Sequence, residues 1–448
     1  MFENKFLKQR NLPNSSSAWS YAKTIIPGGG QLLSKKAERF LPDQWPSYYQ
    51  KAKGYHVWDL DNIKYADFAQ MGVGSCIHGY ANPIINKKVI KSIRNGSMSS
   101  LNSYEEIELA ERLLDLHPYS SMARFARTGG EACSIAVRIA RAASGKDGVA
   151  FCGYHGWHDW YISANIQDSE NLNNQLLSGL NPDGVPKELA GTTFPFLYND
   201  FDSLDIIEKN KTNIGVVIME PIRGVPPLPG FLEKVREICD KIGAVFIIDE
   251  VTSGFRTNAG GWHLLAGVNP DMSIFGKALG NGFPISAVIG TKEVMENATK
   301  SFISSTMWTE RVGFTAAVAN IDMFLKEKSH EKLIFNGKMI KSAWKNSAEK
   351  TGINVSISGL DPLASLKFID GNENVYQTYY AQEMMKMKFL VGSSAYSCVN
   401  YSSSILKKFE NNTSEVFDKM KKLIDKGEKI ENHINGGIIK TSFKRLNG

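Results

Sequence analysis

Two side chains frame the chemistry open to this chain, Asp249 and Lys277. Asp249 follows the apolar run Ala244-Val245-Phe246-Ile247-Ile248, which is too short for a helix and rich in branched and aromatic residues. Such a run reads as a strand buried on both faces, as in a parallel sheet. Open α/β sheets place ligands at the carboxyl ends of their strands, where Asp249 and Glu250 stand. Lys277 follows a second apolar patch, Met272-Ser273-Ile274-Phe275, through Gly276. A lysine between an apolar strand and small residues is a candidate for desolvation, which lowers its pKa and makes the amine nucleophilic. Alone, each signal is weak. An Asp after a strand commonly caps a helix or forms a turn, and a Lys-Gly neighbourhood commonly lies in a solvated loop.

Together, a lysine and an acid that each end a buried strand suit a pyridoxal 5′-phosphate (PLP) site. There the lysine forms a Schiff base, and the acid keeps the pyridine nitrogen protonated so that the ring acts as an electron sink. The flanking residues sharpen this. Asp249-Glu250-Val251-Thr252-Ser253-Gly254-Phe255-Arg256 has the form DEVxxGFR, and Gly276-Lys277-Ala278-Leu279-Gly280-Asn281-Gly282-Phe283-Pro284 has the form GKxxGxGxP. In these two motifs, in this order and spacing, the chain resembles the class III (fold-type I) PLP-dependent aminotransferases, and within them the glutamate-1-semialdehyde aminomutase-like branch. The resemblance covers roughly residues 25 to 330. It implies Lys277 and Asp249 as the catalytic pair, with Asp249, Val251 and Lys277 among the cofactor contacts.

Other stretches add candidates. Met122 to Arg127 reads as a short strand leading into Thr128-Gly129-Gly130-Glu131-Ala132 and an alanine-rich helix. Small residues at a helix start let backbone N–H groups approach a phosphate, whose charge the helix dipole favours. The resemblance places this at the family's Ser-Gly-Thr-Glu-Ala phosphate cup. It implies Thr128, Gly129 and Gly130 as phosphate contacts, with a backbone N–H at Gly130 where the family has a threonine. The strand Gly148–Cys152 leads to Gly153-Tyr154-His155-Gly156, and an aromatic there could stack on a planar ring. The resemblance to GxYHG implies that role for Tyr154 and places His155 beside the site. His155 and His158 have a spacing open to metal, but no third ligand presents itself, so no metal is expected. Met219-Glu220-Pro221 resembles the family's VEP, which places Glu220 near the cofactor.

Ser304-Ser305-Thr306-Met307-Trp308 matches the family segment whose threonine reaches the phosphate of the neighbouring subunit. Thr306 is that residue, and a homodimer with shared sites is implied. The following Thr309-Glu310-Arg311-Val312-Gly313 departs from the aminomutase pattern, which argues for a substrate other than glutamate semialdehyde. Two cations are candidate substrate contacts. Lys35 stands where the aminomutase has a carboxylate-binding arginine, although lysine lacks the planar bidentate fork; the alternative is an exposed loop lysine beside Lys36 and Arg39. Arg223 could meet an anionic substrate or form a structural ion pair.

At 448 residues the chain can bury a large core in two or three lobes. The expected division is an N-terminal arm and part of a small domain over 1–60, a large PLP-binding domain over 61–320, and a C-terminal small domain over 321–448. The fold class is α/β, with a mostly parallel central sheet in the large domain and a smaller α+β domain. Hydrophobic content of 42% and charged content of 22% are ordinary for a globular protein. The net charge of +6 is small for this length, and its lysines sit in helix-like runs near 87–94 and 419–429, so no nucleic-acid surface is expected. Five scattered cysteines without a CxxC pair argue for a reducing compartment. The N-terminus has no apolar signal core and no run spans a bilayer, so a cytoplasmic protein without a membrane partner is expected. Residues 1–26 read as a polar arm with a short helix, and 165–192 as a polar surface insertion.

The function expected from these readings is amino transfer between an amino donor and an oxo or aldehyde acceptor. Internal transfer of the aminomutase type, decarboxylation and racemisation are alternatives, because the same electron sink serves them all. A nucleotide-dependent oxidoreductase is disfavoured, since no GxGxxG follows an early strand. A catalytically silent relative has no chemical need for the Lys277–Asp249 pair.

Overall fold

The apolar runs form one seven-stranded sheet in the computed structural model, which describes residues 14–175 and 177–443. Across the sheet the strands run Met122–Ala126, Ser286–Gly290, Met272–Phe275, Val245–Asp249, Ile214–Met219, Gly148–Cys152 and Thr193–Pro195. Every pairing is parallel except those of Ser286–Gly290, which runs antiparallel to both neighbours. The first thirteen residues of the polar N-terminal arm lie outside the described residues; its helix spans Ser15–Ile25.

Period-2 alternation assigns each strand residue to one of two faces. Val216, Ile218 and Ile247 pack on one face with Ala132, Ile135 and Ile139 of the Gly129–Ser144 helix. Val217, Met219, Phe246 and Ile248 pack on the other with Phe231, Val235 and Ile238 of the Phe231–Ile242 helix. Both faces are covered, which is why these strands read as unbroken apolar runs. Phe246 is fully buried, and its truncation to alanine costs about 3–5 kcal/mol by the usual core rule. The rigid sheet holds Asp249 at the end of one strand and Lys277 just past the end of its neighbour; Asp249 pairs in register with Ile274.

The chain divides into two units. One comprises 72–336 with 359–362 and contains the seven-stranded sheet; the other comprises 1–71, 337–358 and 363–448. The second unit has a four-stranded sheet (Tyr49–Lys53, His56–Asp59, Lys64–Asp67, Phe389–Leu390) and a three-stranded antiparallel sheet (Val355–Ser358, Leu363–Phe368, Ser394–Tyr396), with the helices Glu373–Lys386 and Ser403–Asp425. All five cysteines are buried free thiols. Among the described residues no helix is long and apolar enough to cross a membrane.

The stretch 165–192 is mostly exposed or part-exposed among its described residues, and three of its side chains reach inward. Asn165, Leu172 and Gln175 are buried. Asn165 accepts from Leu172 N at 2.9 Å and donates to Leu180 O at 3.0 Å. The two buried amides, Asn165 and Gln175, satisfy backbone groups, which is how polar side chains are accommodated inside a fold.

Candidate active site

Asp249 is only 2% exposed and is held by three donors. His155 Nδ1 lies 2.8 Å from Oδ2, the Cys133 thiol donates to the same oxygen at 3.4 Å, and Val251 N donates to Oδ1 at 2.9 Å. Burial, reinforced by the Asp249 carboxylate, pushes the Cys133 thiol well up, so it stays an S–H donor. Cys133, His155 and Asp249 present ligand-type atoms within 4.8 Å of one another, and those atoms are engaged in this hydrogen-bond cluster.

Lys277 opens a 3₁₀ turn directly after the Met272–Phe275 strand and Gly276. Its φ of +37° is unfavourable for a residue with a side chain. The largely buried amine donates to Thr252 Oγ1 at 2.7 Å. Burial holds its pKa below the usual lysine range; Glu220 and Asp249 pull it back up, and Arg256 presses it down again. The result is an amine that loses its proton more readily than a surface lysine.

Glu220 and Arg223 form an ion pair at 3.2 Å. Burial pushes the Glu220 carboxyl up, while Arg223 opposes that. Arg223 also donates to Gln175 O at 2.6 Å and Gln175 Oε1 at 3.3 Å. Gln175 in turn accepts from Gly153 N at 2.7 Å. A Cβ on Gly153 would stand 2.6 Å from Glu220 Oε2, and its φ is +115°, so only glycine fits there. The next residue, Tyr154, donates its N–H to Glu220 at 3.2 Å and is 40% exposed.

At the other end, Thr128 caps the Gly129–Ser144 helix in a reciprocal box with Glu131. The leading N–H groups of any helix lack intrahelical acceptors, and here they belong to Gly129 and Gly130. Both glycines line a tight cradle. A Cβ on Gly129 would come within 3.0 Å of Val251, one on Gly130 within 3.1 Å of His158 Nδ1, and one on Gly156 within 2.9 Å of Gly130 Cα. His158 Nδ1 is buried with no hydrogen-bond partner among the described residues. Bare backbone at a helix start with an unspent ring nitrogen beside it fits a phosphate. With the desolvated lysine and the donor-locked carboxylate, the residues present fit pyridoxal phosphate.

Thr306 lies exposed on the Thr306–Thr309 turn. Arg127 grips this turn through Met307 O at 2.7 Å, Trp308 O at 3.0 Å and Glu310 O, with its guanidinium 4.9 Å from the Phe314 ring centre. Trp308 Nε1 reaches Glu131 at 3.3 Å. The divergent segment 309–313 has a structural use: Glu310 caps the Arg311–Glu327 helix, accepting from Val312 N at 2.7 Å, and Arg311 pairs with Glu105 at 2.7 Å. Lys35 is exposed at the end of the Leu33–Lys35 turn of the second unit.

Sequence reading thus missed Thr252, Cys133, Gln175 and Arg127, and weighed His158 only as a metal ligand. Thr252 was visible inside the quoted motif. Cys133 falls one helical turn past Gly129, the only hint that it points at Asp249. Gln175 carried no signal.

Comparison with known proteins gives a consistent answer. Residues 42–392 match the family Aminotransferase class-III. The 3-aminobutyryl-CoA aminotransferase of Cloacimonas acidaminovorans (strain Evry) is 34% identical, covering 83% of this chain and 88% of its own length. A glutamate-1-semialdehyde 2,1-aminomutase of Methanosphaera stadtmanae is 29% identical, covering 88% of this chain and 94% of its own. In fold, the chain resembles the FumI protein of Sphingopyxis sp. MTA144, solved in its PLP internal aldimine form. Its TM-score is 0.84 at 22% identity, covering 94% of this chain and 100% of the other.

Proposed function

Because the chain belongs to the class-III aminotransferase family, whose enzymes work with pyridoxal phosphate on an amino donor and an oxo acceptor, we propose that Lys277 and Asp249 are its catalytic pair and that it transfers the amino group between two molecules. The observation that carries this is the convergence of a desolvated Lys277 amine and a triply hydrogen-bonded Asp249 at the carboxyl ends of adjacent strands.

When bound, pyridoxal phosphate supplies an aldehyde carbon that takes up amines and a ring that spreads the charge left at a deprotonated carbon. Asp249 holds the ring nitrogen's proton, with His155 and Cys133 fixing the carboxylate. Lys277 Nζ would bond the cofactor, and its amine, which loses its proton readily, would carry the proton at the reacting carbon. Thr252 keeps that amine in place. Tyr154 and Val251 would hold the cofactor's ring, and Glu220 and His155 line the site. Thr128, Gly129 and Gly130 hold the phosphate.

Thr306 of the partner subunit completes the phosphate site, so the working form is a homodimer. Exposed apolar side chains support that reading: Leu101 is 82% and Phe302 85% exposed, with Tyr104 and Met307 also open. Apolar side chains gathered on one surface mark association sites. Ser97 O accepts from Arg311 N at 2.9 Å, which brings the segment before Leu101 to the start of the helix that follows the Thr306 turn. Arg223, committed to Glu220 and Gln175, positions Glu220; Lys35 is the candidate contact for an anionic substrate. Five buried thiols suit a reducing cytoplasm.

Internal transfer is the second reading, motivated by the aminomutase relatives. The committed roles of Glu310 and Arg311 and the lysine at position 35 weigh against glutamate semialdehyde itself. Adding amino acids singly to the purified holoenzyme tests the proposal. Conversion of the visible absorbance of lysine-linked cofactor to that of the aminated form, with release of the matching oxo acid, is expected. Loss of neither the band nor the donor with any amino acid contradicts it, and Lys277→Ala that still turns over contradicts the role of Lys277.

A further inference from the structure

Behind Lys277 runs a buried polar chain that none of the site's motifs explains. Asn320, in the middle of the Arg311–Glu327 helix, is fully buried. Its amide donates to Ala278 O at 2.8 Å and Leu279 O at 3.0 Å, the two carbonyls that follow Lys277. With both amide hydrogens spent, Asn320 Oδ1 can only accept, and it lies 2.7 Å from His78 Nδ1. His78 Nε2 lies 2.7 Å from Ser329 Oγ. One direction satisfies every atom: the Ser329 hydroxyl donates to Nε2, Nδ1–H donates to Asn320, and Asn320 donates to the two carbonyls. Burial holds His78 below the usual histidine range, which keeps it the neutral tautomer that this pattern needs. A second strand of the network closes the loop. His78 N donates to Asn281 Oδ1 at 2.8 Å and Asn281 Nδ2 donates to Gly79 O at 3.2 Å.

We propose that Asn320, oriented by His78, is a positioning residue for Lys277. It clamps the two carbonyls of the 3₁₀ turn and so holds the lysine in its unfavourable left-handed backbone conformation (φ +37°) with its amine against Thr252. Strained backbone persists only where surrounding contacts over-determine it, and a fully satisfied buried network specifies one arrangement. Resting on the assignment of Lys277 above, this makes the bond between Lys277 Nζ and an aldehyde carbon, formed with loss of water, sensitive to a side chain that touches neither.

The test compares two ligands of the apoenzyme. Pyridoxal phosphate bonds to Lys277, whereas pyridoxamine phosphate has the same ring and phosphate but no aldehyde. Asn320→Asp keeps size and removes both donors. Its affinity for pyridoxal phosphate is expected to fall about tenfold or more, the scale of losing two buried hydrogen bonds, with that for pyridoxamine phosphate unchanged. His78→Leu is expected to follow it and keeps the test open if Asn320→Asp does not fold. His78→Asn, which can present an N–H where Nδ1 stands, is expected to retain affinity. Equal weakening of both ligands, or of neither, overturns the proposal, since a merely structural role moves both. Lys277→Ala separates the premise: if it binds pyridoxal phosphate as tightly as the native enzyme and keeps the linked absorbance, Lys277 is not the linkage and the premise itself falls.

Discussion

Asp249 and Glu250 are adjacent carboxylates at one strand end, yet they belong to two regions with different chemistry. Asp249 lies on the side of the Gly129–Ser144 helix, where Cys133 and His155 hold it and Lys277, Glu220 and Tyr154 gather. Glu250 lies on the other side, against the His263–Ala266 helix. His263 gives it Nδ1 at 2.8 Å and its backbone N–H at 2.9 Å, and Ser253 Oγ donates as well. His117 stacks on His263 with ring centres 5.6 Å apart and accepts from Gly261 N at 3.1 Å. Burial, above all, drives His117 down to about 4. Glu250 is 1% exposed and both histidines are fully buried, so this pocket is closed. A carboxylate sealed among its own donors builds the fold; one held firmly beside a reactive amine and an exposed tyrosine does chemistry.

That contrast can be broken or sharpened by substitution. His263→Ala leaves the Glu250 carboxylate buried without its main partner and should cost about 3–5 kcal/mol of unfolding free energy. Denaturant titration reads it, with turnover per folded molecule little changed. Asp249→Asn should do the reverse: turnover lower by on the order of 10²–10³, the usual loss when a preorganised electrostatic group is removed, and a melting temperature close to native. Equal damage to stability and turnover by both substitutions would erase the distinction. Thr252→Val removes the hydroxyl that receives Lys277 and should lower turnover about fivefold, the worth of one hydrogen bond of about 1 kcal/mol, measured as kcat at saturating donor.

The smallest effect is one of pH. Burial raises the Glu250 carboxyl, but the His263 and Ser253 hydrogen bonds outweigh it and leave the pKa below the ordinary value. A carboxyl lowered on folding stabilises the protein above its unfolded pKa, and that stability is lost as pH falls through the folded value. Glu250→Gln should therefore be less stable than native at neutral pH, with the gap narrowing in acid, as urea midpoints across pH would record.

Legibility followed the same divide. The Asp249 and Lys277 positions were readable because strand runs and local motifs put them there, and so was the mostly parallel sheet, whose doubly buried strands leave unbroken apolar runs. The partners that set their behaviour come from elsewhere in the chain. Cys133 projects from a helix more than a hundred residues earlier, Gln175 from a polar tract whose composition suggested exposure, and Asn320 from a helix beyond the recognised motifs. Short-range pattern carries backbone shape and face, but a hydrogen bond between distant segments leaves no periodic trace. The divergence of segment 309–313 is legible in the sequence, and its cause is local: Glu310 is a helix cap and Arg311 an ion-pair partner.

The central claim is that Lys277 bonds the cofactor. Its most direct test is borohydride reduction of the holoenzyme followed by peptide mapping. The cofactor mass should be fixed on the peptide containing Lys277, and prior treatment with an effective amino donor should prevent it. Label on a different lysine, or a holoenzyme whose cofactor is never fixed, would contradict the account.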